Sequence, residues 1–223
     1  MNKRYQVFVS STFEDLTTER RAVLDAILQT GHFPSGMEYF PASGALPWEI
    51  IKKMIDDCDY YVVIIAARYG SIGNDDMSYT ENEYDYARTI GKHIIPFLHS
   101  SPDELPSKHT ESLAKRKKQL TDFRRKIEGN GTTKRWDTPE SLRTEVILSL
   151  NYAFARHPAT GWVRADQADT TKILQKVVSL QERVDALQVE NESLIKTIAE
   201  SSANPEKRFA SGEAGQEGLF ALA

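Results

Sequence analysis

Tyr60-Tyr-Val-Val-Ile-Ile-Ala-Ala67 carries no charge, and its β-branched and aromatic residues run together instead of alternating with polar ones. That is the pattern of a strand buried on both faces, as in a parallel sheet, and His93-Ile-Ile-Pro-Phe-Leu98 repeats it. Such strands need helices above and below. Toward the N-terminus, residues 5–9 (YQVFV) read as a strand, and residues 19–29 as an amphipathic helix with Val23, Leu24, Ile27 and Leu28 on one face, stopped near Gly31. A short strand over residues 37–40 leads to a helix that starts at Pro47 and ends near Asp57, and a helix over residues 81–90 closes at Gly91. Toward the C-terminus follow a basic helix over residues 111–128, a strand at 134–136 and a helix over 139–155. Alternating strands and helices of these lengths imply an α/β domain with a parallel, doubly wound sheet and right-handed crossovers, spanning residues 1–160.

The character of the chain then changes. After a linker at 161–170, Ile173, Val177, Leu180, Val184, Leu187, Asn191, Leu194 and Ile198 recur at alternating spacings of four and three. Val at successive a positions, Leu at successive d positions and one Asn at an a position favour a parallel two-stranded coiled coil over residues 171–200, so the chain is expected to be a homodimer. Residues 201–223 are rich in small and polar residues and are expected to be disordered, with the apolar end Leu219-Phe-Ala-Leu222 as a candidate docking peptide. The 223 residues carry a formal charge of −4, which gives no whole-chain attraction to nucleic acid or anionic membranes. A lone cysteine, Cys58, between Asp57 and Asp59, is expected to be an inert thiol in a reducing compartment. The first residues lack a signal-peptide core and no segment is long and apolar enough to span a bilayer, so a cytoplasmic location is expected.

Ligands of doubly wound sheets bind at the carboxyl ends of the strands. Three stretches fall there: Ser10-Ser11-Thr12-Phe13, Arg68-Tyr69-Gly70-Ser71, and the helix entrance Ser78-Tyr79-Thr80-Glu81-Asn82-Glu83. Hydroxyls and free amides suit phosphate or ribose oxygens, Arg68 adds a cation, and Gly70 permits close approach to the backbone. Ser78-x-x-Glu81 and Thr80-x-x-Glu83 each also match a capping box, so either carboxylate has a structural reading. There is no Walker motif and no G-x-G-x-x-G. The run Lys115 to Lys118 with Arg124 to Lys126 reads as the solvated face of a helix whose buried stripe is Leu113, Leu120, Phe123 and Ile127, which argues against nucleic-acid binding. The five histidines show no metal spacing.

VFVSSTFEDLTTERRAVLDAI, PWEIIKKMIDDCDYYVVIIAARYGSI and SYTENEYDYARTIGKHIIPFL resemble the TIR-like domain of unknown function at the front of large NACHT and WD-repeat proteins, and more distantly Toll/interleukin-1 receptor (TIR) domains. The resemblance implies a flavodoxin-like, TIR-like sheet with helices on both faces and an enzyme of the NAD nucleosidase type. It places a catalytic Glu shortly before the Gly-Lys that leads into the fourth strand, which is Glu83 here. It further implies that Ser10, Ser11, Thr12, Phe13, Arg68, Tyr69, Gly70 and Tyr79 contact the nucleotide, with NAD a substrate and no resident cofactor. Association of neighbouring domains completes such sites, giving Val177, Leu180, Val184, Leu187, Asn191 and Leu194 an oligomerisation role. The alternative is a non-catalytic scaffold that recruits partner proteins through its TIR-like surface or its tail.

Overall fold

The computed structural model describes residues 3–39, 48–73, 75–165 and 170–203. Five strands, β1 (Gln6–Ser11), β2 (Phe33–Ser35), β3 (Tyr60–Ile65), β4 (His93–His99) and β5 (Lys134–Trp136), form one sheet in the order β2-β1-β3-β4-β5. Every pairing is parallel. This is the flavodoxin-like order, in which the chain leaves β1 toward β2 and then crosses back to β3. The reversal falls between β1 and β3, and ligands of such sheets bind at the carboxyl ends of the strands there. At that end Ser10 pairs with Val63 in register.

The β3 stretch is sealed on both sides as its composition demands, with all six residues no more than 3% exposed. On one face Val7, Val9, Tyr60, Val62 and Ile64 pack against α1 (Thr17–Gln29) and α5 (Pro139–Arg156). On the other, Phe8, Tyr61, Val63 and Ile65 meet α2 (Trp48–Asp57), α3 (Tyr79–Thr89) and α4 (Ala114–Gly129). Burying each of these large side chains contributes roughly 1.5–3 kcal/mol, which makes the sheet's centre the anchor of the unit.

Several expectations need correction. The second strand lies at Phe33–Ser35, and Met37–Tyr39 is a 3₁₀ turn, while Phe40 and Pro47 fall outside the described residues. The strand contains Pro34, which an edge strand tolerates because its missing N–H has no ladder partner to serve. Leu28 and Leu113 are exposed and take no part in the core. Nor are the basic residues of α4 all on a solvated face. Arg124 donates to the carbonyls of Ala66 and His99, and Lys126 bridges Glu81 and Asp85. The Ala66 carbonyl lies just past the end of β3 and the His99 carbonyl belongs to the last residue of β4, so Arg124 serves carbonyls at the ends of both strands.

Contacts divide the chain into a unit ending at Arg164, closed by an antiparallel bridge between Arg4 and Trp162, and a second unit from Ala165. The second contains α6 (Thr170–Ala203), whose a and d side chains from Ile173 to Ile198 are exposed. Of the expected linker at 161–170, residues 166–169, and of the expected tail at 201–223, residues 204–223, lie outside the described residues. Among the described residues, no helix is long and apolar enough to cross a membrane.

Candidate functional site

Ser10 and Thr12 lie two apart on β1 and its continuation, so both face α3, while Ser11 faces the opposite side. Glu83 and Thr80 lie three apart on α3 and share the face that looks back at β1. The two periodicities bring Ser10 to Glu83, whose Oε2 accepts a hydrogen bond from the Ser10 hydroxyl at 2.5 Å. One step further out, Thr12, Thr80 and Ser78 surround Gly70. A Cβ there would sit 2.9 Å from Thr12 Cγ2, and the backbone φ is +96°.

The two carboxylates of the entrance have different employment. Ser78 is the N-cap, its hydroxyl accepting from the Glu81 amide at 3.2 Å. The box is not closed, because the Glu81 carboxylate instead accepts from the Tyr69 hydroxyl at 2.6 Å and from Lys126 at 2.8 Å. Thr80 sits inside the helix and caps nothing, so Glu83 has no capping function. Burial pushes the Glu83 carboxyl up to about 7, against the lowering effects of the Ser10 hydrogen bond and the Arg20 charge. Below the pair lies the Tyr61 hydroxyl, buried and without a hydrogen-bond partner, its phenol held far above its ordinary range by burial and then by Glu83.

The remaining predicted residues spread around this centre. Ser11 is buried and accepts from the guanidinium of Arg20 at 2.8 Å, on the far side of the strand from Glu83. Tyr69 is buried with its hydroxyl on Glu81, which leaves it no ring face for a ligand. Arg68 lies at the rim, bound to exposed Glu14 at 3.1 Å. Phe13 is exposed, and Tyr79 is half-buried against the core. Cys58 is buried, and its thiol is pushed up to about 12, chiefly by burial. Among the described residues no cluster of acidic, histidine and cysteine side chains is arranged to hold a metal.

Two groups near the centre escaped the sequence reading. Asp15, just past β1, is buried with neither carboxylate oxygen hydrogen-bonded, and burial holds its carboxyl above the usual range. Arg20 is 2% exposed and ion-paired with Glu38. Its signal was present: it falls on the apolar stripe of α1, three before Val23 and seven before Ile27, where a charge is out of place unless paired. A cleft of about 590 Å³ opens elsewhere, beside the start of β4, lined by His93, Lys134, Leu148, Tyr152 and His157 among others.

Gly70 yields the first prediction. Gly70→Ala is expected to cost about 1–3 kcal/mol, since a side chain is strained at that φ and its Cβ would press on Thr12. Urea unfolding measures it, and a loss under about 0.5 kcal/mol would mean the turn relaxes freely.

Among solved structures, the chain is similar to the Clostridium botulinum CMP N-glycosidase BcmB at 13% identity, covering 65% of this chain and 98% of that one with a TM-score of 0.39. It is also similar to the TIR domains of the activated Roq1 resistosome, which recognises the pathogen effector XopQ (15% identity, 78% and 98% covered, TM-score 0.38). A prokaryotic SEFIR domain is similar at 17% identity, with 56% and 90% covered and a TM-score of 0.34. At these scores none of the three bears on what this chain does, and no curated protein matches it. The model of a family described as a domain of unknown function, DUF4062, matches residues 6–151, and the chain belongs to that family.

Proposed function

We propose that this is a TIR-like effector that cleaves the bond between nicotinamide and ribose in NAD once its domains are brought together by the coiled coil. The observation that carries the reading is the Ser10–Glu83 pair at the carboxyl end of β1, at the topological switch point, with Glu83 released from any capping duty. Nicotinamide is bound to C1′ as a cation. When that bond breaks, its electron pair goes to the ring nitrogen and nicotinamide leaves neutral, so no acid is needed to protonate it. The charge left on the sugar has oxocarbenium character, which a carboxylate beside the ribose stabilises until water attacks C1′ and loses a proton. Ser10 fixes the Glu83 carboxylate at the carboxyl end of β1. A group at about 7 is substantially ionised at neutral pH, the form this role requires.

The second unit supports the assembly part. The a and d side chains of α6 between Val177 and Leu194 are about half exposed in the single chain, an apolar seam with Asn191 in it that a second copy in parallel would cover. Two domains so tethered experience one another at an effective concentration in the millimolar range. The second reading, a non-catalytic scaffold for partner proteins, is favoured by the cleft beside β4, whose lining includes neither Ser10 nor Glu83. Incubating the full chain with NAD at high protein concentration and following free nicotinamide by chromatography separates the two. Release by the wild type supports the enzyme, and no release under crowding moves the function to the scaffold.

A further inference from the structure

We infer that Arg20 and Glu38 form a charge pair that sets the ionisation of Glu83 from across the sheet, with Arg20 as a positioning residue and the turn bearing Glu38 as the element that tunes it. Arg20 spends its donors on the strand that carries Ser10. Nη1 reaches Ser11 Oγ at 2.8 Å and Nη2 reaches the Val9 carbonyl at 3.2 Å. That carbonyl lies beyond the last residue of β1 that β2 covers, Phe8. Ser11 and Ser10 are adjacent and point to opposite faces, so the guanidinium lies just under the strand whose other side holds Glu83. A cation buried at 2% exposure acts across such a distance with little screening by solvent or salt.

Other groups around Glu83 do not offer the same control. Ser10 from β1 carries no charge, burial holds the Tyr61 phenol from β3 far above its ordinary range, and Tyr84 beside it on α3 is a buried core residue. Asp85, also on α3, is bound by Lys126 of α4 at 2.6 Å. The charge that acts on the Glu83 proton is that of Arg20, and Glu38 partly cancels it through Nε and, at 2.8 Å, Nη2. Glu38 sits on the Met37–Tyr39 turn, immediately after Gly36 and β2. Gly36 is what admits the pair: a Cβ there would be 2.7 Å from Glu38 Oε2 and 3.1 Å from Arg20 Nη2. Moving the turn away would therefore bare the Arg20 charge and make Glu83 more acidic. The competing explanation is structural, with Arg20 merely satisfying the free edge of β1 and Glu38 neutralising it. It predicts stability losses that leave the titration of Glu83 where it was.

The test is the carboxyl ¹³C titration of Glu83 by NMR in the full chain, its signal assigned by its absence in Glu83→Gln. Glu38→Gln removes only a charge from a partly exposed side chain, and it is expected to move the Glu83 midpoint down by roughly 0.5–1 pH unit. Gly36→Ala, which pushes Glu38 aside, is expected to move it the same way, and Arg20→Gln the opposite way. A midpoint unchanged within about 0.2 pH unit in Glu38→Gln and Gly36→Ala, or moved upward, would overturn the inference. Its importance for catalysis rests on the proposed role of Glu83, but the titration does not. A moved midpoint without nicotinamide release sinks only the enzyme reading, and release with an unmoved midpoint sinks only this one.

Discussion

Glu83→Gln is expected to reduce nicotinamide release about 10²–10³-fold or more and, at the same time, to make the fold more stable above pH 7. The two effects have one cause. Folding raises the Glu83 carboxyl from 4.5 to about 7, mainly by burial, so the folded chain binds this proton more tightly than the unfolded one does. The group therefore adds stability that is fully present below 4.5 and is lost as pH rises through about 7. Glutamine keeps the shape of the protonated acid and accepts from Ser10 without the charge. Each pH unit by which folding raises a carboxyl corresponds to about 1.4 kcal/mol, and with a discount for the partial exposure of the side chain the gain at pH 8 is about 1–2 kcal/mol. For a chain of this size that is roughly 2–8 °C in melting temperature, vanishing near pH 4. Asp15, raised by burial, imposes a pH dependence of its own that the variant and the wild type share. Calorimetry at pH 4 and pH 8 decides. An equal change in melting temperature at both pH values would mean that Glu83 carries an ordinary proton affinity.

Leu187→Glu is expected to convert the chain from dimer to monomer, and Asn191→Leu to spread it over more than one oligomeric state without unfolding either unit. Leu187 stands mid-seam, half exposed in the single chain. In the proposed parallel coil it faces its own copy, so the substitution removes two buried leucines and brings two like charges together. Roughly 2 kcal/mol per lost leucine together with the charge repulsion weakens association by about 10³-fold or more. Asn191 acts differently. A single Asn at an a position costs stability but pairs only with its counterpart in register, and it thereby excludes other arrangements. Multi-angle light scattering follows both variants. A wild-type chain that is monomeric at tens of micromolar would remove the coil from the proposed mechanism.

The boundary errors in the reading from sequence have specific physical origins. A strand was expected over residues 37–40, yet it fell on Phe33–Ser35, where the Phe33 amide bonds to the Tyr5 carbonyl and the edge position accommodates Pro34. Leu28 completed a helical stripe on paper but lies beyond the reach of the sheet. Tyr69 and Ser11 sat at the right strand ends to meet a ligand and were taken up by Glu81 and Arg20 instead.

What the sequence by itself determined was the class of the fold and the presence of a long helix with an apolar seam. Continuous apolar strands, the stripes of the helices and the heptads of α6 are periodic, and periodicity is a local property that neighbours in the chain display together. What only the tertiary structure decided was what each carboxylate of the helix entrance is bonded to. Both Glu81 and Glu83 matched the same capping pattern and the resemblance pointed to Glu83, but the partners that set them apart lie far away along the chain: Tyr69 and Lys126 for Glu81, and Ser10, 73 residues distant, for Glu83. A side chain's proton affinity and employment follow from what folding packs around it, and no local pattern carries that information.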